Sequence, residues 1–108
     1  MKILVFDTET TGLPKDMSLP AIQSPDNWPH LVSISWAVLD SESNSVMKTH
    51  CYIVKPSKWT IPEEASKIHG ITQDKALEFG IPLRDVIEEF NGEPVSYTHL
   101  TLPTILRV

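Results

Sequence analysis

Three stretches of the chain, rich in apolar β-branched and aromatic residues, each predict a β-strand. The first covers residues 2–8, where Ile3, Leu4, Val5 and Phe6 run directly into Asp7. The second covers residues 31–39, with Val32, Ile34, Trp36 and Val38 on one face. Small and apolar residues fill its other face, so both faces are expected to be covered. A polar stretch over 40–45, with Asn44 as its turn residue, leads into a third strand over 46–54, antiparallel to the second. Lys55-Pro56 ends that strand, because proline cannot donate to a ladder. Between the first two strands lies a long connection over 10–29, holding Pro14, Pro20, Pro25 and Pro29, with Asp26-Asn27 as a turn signal.

The pattern then changes to helical spacing, and three short helices are expected. Pro62 sits early in the first, Glu63 and Glu64 lie in its first turn near the positive end of the helix dipole, and Gly70 ends it. Thr72 caps the second and Gly80 stops it, with Ala76 and Leu77 expected to face inward. Pro82 starts the third. Leu83, Val86, Ile87 and Phe90 recur at i, i+3, i+4 and i+7, and Asn91-Gly92 ends the stripe.

A length of 108 residues, 41% hydrophobic and 21% charged, suits one small globular domain. No stretch is long and apolar enough to span a membrane, and the start of the chain does not read as a signal peptide. Cys51 is the only cysteine, which excludes an internal disulfide or a thiolate cluster and fits a reducing, cytoplasmic setting. The net charge of −5 argues against a surface that coats nucleic acid. It leaves open an enzyme that meets nucleic acid through bound metal ions, since these reverse the local sign.

Asp7 and Glu9 stand two residues apart on the first strand, so both point to the same face. Like charges side by side repel, and a cation between them removes the conflict. Oxygen ligands of this kind suit Mg²⁺ or Mn²⁺. The bland alternative is a strand-end turn on a solvated surface.

The string Phe6-Asp7-Thr8-Glu9-Thr10-Thr11-Gly12-Leu13 resembles the first motif of the DEDD 3′–5′ exonucleases, the DnaQ-like group that includes the epsilon subunit of bacterial DNA polymerase III. A second block, Ile61 to Thr72 with its His69-Gly70-Ile71-Thr72 string, is similar to that family at the same relative place. The resemblance covers residues 2 to about 92. It implies an α/β, RNase H-like exonuclease fold, of which this is the N-terminal half: three antiparallel strands followed by short helices. It implies Asp7 and Glu9 as catalytic metal ligands, with two Mg²⁺ or Mn²⁺ ions in the complete domain. Thr10, Thr11, Gly12 and Leu13 would line the pocket of the 3′-terminal nucleotide, and Glu64 and His69 would touch that nucleotide. For Glu64 the plain alternative is a helix first-turn acid, and for His69 a histidine at a helix C-terminus. His50 and Cys51 read as packing or solvated positions, and Trp28, Trp36 and Trp59 as core or loop anchors, with base stacking a minor option for Trp59. The implied partner is a single-stranded DNA or RNA 3′ end, with a DNA polymerase as a further option and no membrane.

The chain departs from the family pattern in one respect. The later motifs, which bring two more aspartates and a general base, are absent. After residue 72 the only aspartates are Asp74 and Asp85, and neither has the motif around it. Residues 95–104 also resemble the translation of a transposase adapter used in sequencing libraries. The expected division is a truncated exonuclease domain over 1–94 and a non-native tail over 95–108, extended or poorly ordered and able to mimic an edge strand. The fragment itself is expected to be inactive, since members of a catalytic unit act together. A non-catalytic exonuclease-like module that binds a polymerase or other partner is the alternative. A different metal-dependent hydrolase is a third reading, which the His-Gly-Ile-Thr block disfavours.

Overall fold

The computed structural model describes residues 1–16, 18–20, 23 and 27–100. Its elements are β1 (Lys2–Thr10), β2 (Leu31–Asp40), β3 (Ser45–Ile53), α1 (Glu63–His69), α2 (Gln73–Phe79), α3 (Leu83–Asn91) and β4 (Tyr97–Leu100). They form one sheet in the order β3-β2-β1-β4. The three expected antiparallel strands are present. β1 runs two residues further than its apolar run suggests, because Glu9 and Thr10 still find partners at Ser33 and Leu31. A register shift separates Glu9 from Thr10, the last residue of the strand.

One face of the sheet carries the core. Leu4, Ile34, Trp36 and Val38 are buried with Val54 and with Val86 of α3, and Phe6 and Phe90 pack against them. The Trp36 and Phe90 rings meet edge to face at 5.4 Å. Glu93, just beyond α3, closes this side. It accepts the Trp36 indole N–H at 2.9 Å and pairs with Lys48 at 2.7 Å. A second cluster, Val32, Ile61, Ala65, Ile71 and Ala76, seats α1 and α2 at the end of the sheet. Val54 joins Ile81 through a single parallel bridge, so α3 starts beside the strand end.

The expected caps are observed. Thr72 Oγ1 accepts the Lys75 N–H at 3.2 Å. Gly70 closes α1 in the left-handed conformation, φ 78°. Gly80 is required for space: a Cβ there would lie 2.2 Å from the Ala76 carbonyl oxygen and 2.7 Å from the Lys55 Cα.

Three expectations need correction. Leu77 is 45% exposed, because α2 has seven residues and buries only Ala76. The α3 stripe is half used: Val86 is buried, while Leu83 and Ile87 stay exposed on the flank of a helix that meets the sheet along one line. The second face of β2 is not fully covered, since the helices lie on the Trp36 side and leave Ser35 exposed.

Residues 97–100 form a strand parallel to β1, pairing Ile3 with Tyr97 and Phe6 with Leu100. Alternation in the tail is thus used as an edge strand rather than left free. Residues 101–108 and the Asp26 turn signal lie outside the described residues. Among the described residues no helix is long and apolar enough to cross a membrane.

Candidate functional site

The site is built on the last turn of the β1 ladder. Asp7 pairs with Ser35 and Glu9 with Ser33. The cross-strand neighbours are therefore small hydroxyl residues, which leave both carboxylates without a basic counter-charge. Among the described residues neither carboxylate has a Lys or Arg partner. Asp7 Oδ1 accepts the N–H of Thr8 at 3.0 Å. Glu9 Oε2 is buried and has no hydrogen-bond partner. An unpartnered buried carboxylate oxygen is costly, and a cation would satisfy it.

His69 comes to the same place from the end of α1. Its Nδ1 accepts the Ile71 N–H at 3.1 Å, so the neutral ring carries its proton on Nε2. That Nε2 is also buried and without a hydrogen-bond partner. Burial lowers the His69 pKa, while the Glu9 charge and the Thr10 carbonyl act in the opposite direction and offset part of the shift. Glu9 and His69 thus form an electrostatic pair from residues 60 positions apart in the sequence.

The loop after β1 is tied down locally. Thr10 Oγ1 donates to the Gly12 carbonyl at 2.7 Å. Thr11 and His30 exchange two bonds: the Thr11 N–H donates to the His30 carbonyl at 3.0 Å, and the His30 N–H donates to Thr11 Oγ1 at 2.9 Å. Gly12 has open space around it, with no atom within 4 Å of an added Cβ, and it lacks a positive φ. Neither packing nor backbone conformation explains a glycine there. Leu13 is 53% exposed at the loop end. Glu64 is exposed on the first turn of α1.

The donor set for a metal is partial. Asp7 and Glu9 share a strand face, and the orphaned Glu9 oxygen suits a cation. Among the described residues, however, no group of three or more His, Cys, Asp or Glu side chains could hold a metal ion. Asp74, at the start of α2, and Asp85, in the first turn of α3, do not complete one. His50 and Tyr52 stack in the aromatic group around Trp36, consistent with a packing role. The Trp28 indole N–H anchors the long connection to the Leu19 carbonyl at 2.8 Å.

One feature of this region was not visible as a signal in the chain: His30. Its ring stacks on Trp59 with centroids 4.7 Å apart and planes within 3°. Pro29-His30 merely closes a proline-rich connection in the sequence, and nothing local marks the ring as paired.

No protein-family model and no curated protein matches the sequence. Solved structures do match. The nuclease domain of 3′hExo, a DEDDh family member bound to rAMP, superposes with a TM-score of 0.66 at 16% identity, over 92% of this chain and 50% of that one. Exonuclease I from Methylocaldum szegediense matches with a TM-score of 0.68 at 22% identity, over 92% of this chain and 19% of that one. E. coli Exonuclease I in complex with a dT13 oligonucleotide matches with a TM-score of 0.64 at 22% identity, again over 92% and 19%. The chain therefore spans half or less of the length of these relatives. What the likeness shows is the fold: a mixed sheet with three helices that matches the N-terminal part of the RNase H-like domain of DEDD 3′-exonucleases.

Proposed function

We propose that this chain supplies the N-terminal part of a 3′–5′ exonuclease that hydrolyses phosphodiester bonds at nucleic-acid 3′ ends. The observation that carries this reading is the buried, unpartnered Glu9 Oε2, on the same strand face as Asp7 and without a basic counter-charge. Asp7 and Glu9 are the proposed metal ligands, with Mg²⁺ or Mn²⁺ as the ion and two ions in the complete domain. When bound, such ions acidify a water and offset charge at the phosphodiester. Asp7 and Glu9 hold their carboxylates at one end of a rigid ladder, and the Thr10–Leu13 loop offers backbone groups to the terminal nucleotide. The open space over Gly12 supports that role, since the fold itself does not require glycine there. His69 and Glu64 are proposed to touch the same nucleotide. His69 is within electrostatic reach of Glu9, whereas Glu64 rests on the motif resemblance alone.

The rAMP bound to 3′hExo and the dT13 bound to E. coli Exonuclease I support a single-stranded DNA or RNA 3′ end as substrate. A cytoplasmic location and a polymerase partner belong to this proposal and rest on the single cysteine and the motif resemblance. We read residues 95–108 as an adapter-derived tail and the chain as given as inactive. Codons 95–104 that do not spell the adapter would remove that reading.

A second reading is a non-catalytic module that binds a polymerase or other partner. It is favoured by one observation: the described residues contain no cluster of three or more potential metal ligands. Extending the chain with its natural continuation separates the two. Release of mononucleotides from a single strand with Mg²⁺ or Mn²⁺, lost in Asp7→Ala, supports the enzyme. No release from the extended chain supports the module.

A further inference from the structure

A cavity of about 600 Å³ is bounded by His30, Leu31, Val54, Lys55, Trp59 and Leu83. Its size falls within the ~300–1,000 Å³ range of small-ligand sites. Three features of its wall bear on what it takes. His30 and Trp59 form a flat, parallel stack, and His30 is exposed, so its outer ring face can extend the stack. Leu31 and Val54 make an apolar floor. Lys55, exposed at the rim, supplies a cation on a chain whose net charge is −5. A flat aromatic platform beside an ammonium group complements an unpaired base joined to a phosphate.

One wall residue of the cavity, His30, is tied to the candidate loop. His30 is held to Thr11 by two backbone-directed hydrogen bonds, at 3.0 Å and 2.9 Å, and Thr11 belongs to the loop proposed to receive the terminal nucleotide. The face of β1 that carries Asp7 and Glu9 is opposite the core face on which Leu4 and Phe6 pack with Val54, so the cleft and the carboxylate pair are separate places.

We infer that this cleft is a second nucleotide subsite, in which a base of the single strand stacks on His30 and its phosphate lies near Lys55. The inference rests on the proposed nucleic-acid reading of the neighbouring loop. It does not depend on catalysis. Both side chains are exposed, so their replacement leaves the core intact, unlike replacement of the half-buried Trp59.

The test uses the full chain, a 5′-fluorescein-labelled eight-nucleotide dT strand, and fluorescence anisotropy in EDTA. Expected is saturable binding that His30→Ala and Lys55→Ala each weaken about fivefold or more. His30→Phe, which keeps a flat ring, should restore it. Lys2→Ala, which removes an equal charge from the far end of β1, should change it less than about twofold. Circular dichroism verifies that each variant is folded. Absence of saturable binding, unchanged binding in His30→Ala, or equal weakening by Lys2→Ala would overturn the inference. Failure of an extended chain to release mononucleotides would count against the exonuclease reading alone, because the binding assay contains no metal.

Discussion

Glu9 Oε2 and His69 Nε2 are both buried and both without a hydrogen-bond partner, and the Glu9 charge acts on the His69 ring. Burial lowers the His69 pKa and Glu9 offsets part of that shift. Glu9→Gln removes the offset, so the His69 pKa should fall further. An NMR titration of the His69 ring protons in both chains measures this, and an unchanged or raised value would contradict the pairing.

The same shift makes stability depend on pH. The folded pKa of His69 lies below its unfolded value, so the unfolded chain binds the proton more readily. The His69 contribution is fully present above about pH 6.5 and is lost as pH falls through the lowered folded value. Urea unfolding between neutral and mildly acidic pH should show this loss, and His69→Gln should flatten that part of the profile.

Glu93 predicts a second, more acidic step. Its hydrogen bond with Lys48 holds its carboxyl below the ordinary value, with the Trp36 N–H acting in the same direction. The folded pKa is depressed, so its contribution is present above the ordinary carboxylate range and lost as pH falls through the lowered value. Glu93→Ala also strands the Trp36 indole N–H, with an expected cost of about 1–3 kcal/mol. Glu93→Gln keeps an acceptor for that N–H and should cost less in the same unfolding assay.

Gly80 and Gly12 should respond in opposite ways to alanine. Gly80→Ala drives a Cβ into the Ala76 carbonyl and the Lys55 backbone, and should cost about 1–3 kcal/mol or more. Gly12→Ala meets nothing within 4 Å, so stability should stay within about 0.5 kcal/mol. If the loop receives a nucleotide, Gly12→Ala should still weaken oligonucleotide binding. Thermal unfolding and anisotropy on the same samples check both halves.

Cutting the chain after residue 94 removes β4, which pairs with β1 over four residues at one edge of the sheet. The buried residues of both clusters lie before it. The shortened chain should therefore keep its α1–α3 amide protection in hydrogen exchange, with loss confined to the β1 edge. Global loss of protection would show that the tail is part of the folding unit.

Much of this architecture is written locally. Runs of apolar, β-branched and aromatic residues encode β1, β2 and β3, and Thr72, Gly70, Pro62 and Pro82 mark the helix ends, because strand faces and caps depend on residues a few positions apart. The placement of Asp7 and Glu9 on one face follows from the two-residue period of a strand. What periodicity leaves open is which side of an element meets another. Leu77, Leu83 and Ile87 have the right residue type for burial and remain exposed, because short helices reach the sheet along one line. Ser35 lies open because the helices pack on the opposite, Trp36, face of the sheet. The meeting of His69 with Glu9, the His30–Trp59 stack and the Trp36–Glu93 bond join residues 60, 29 and 57 positions apart. Local residue patterns account for the elements and for the carboxylate pair on one strand face. Only the tertiary path of the chain decided which faces are covered and which distant side chains share a buried space, because such contacts depend on how whole elements pack and not on any local pattern.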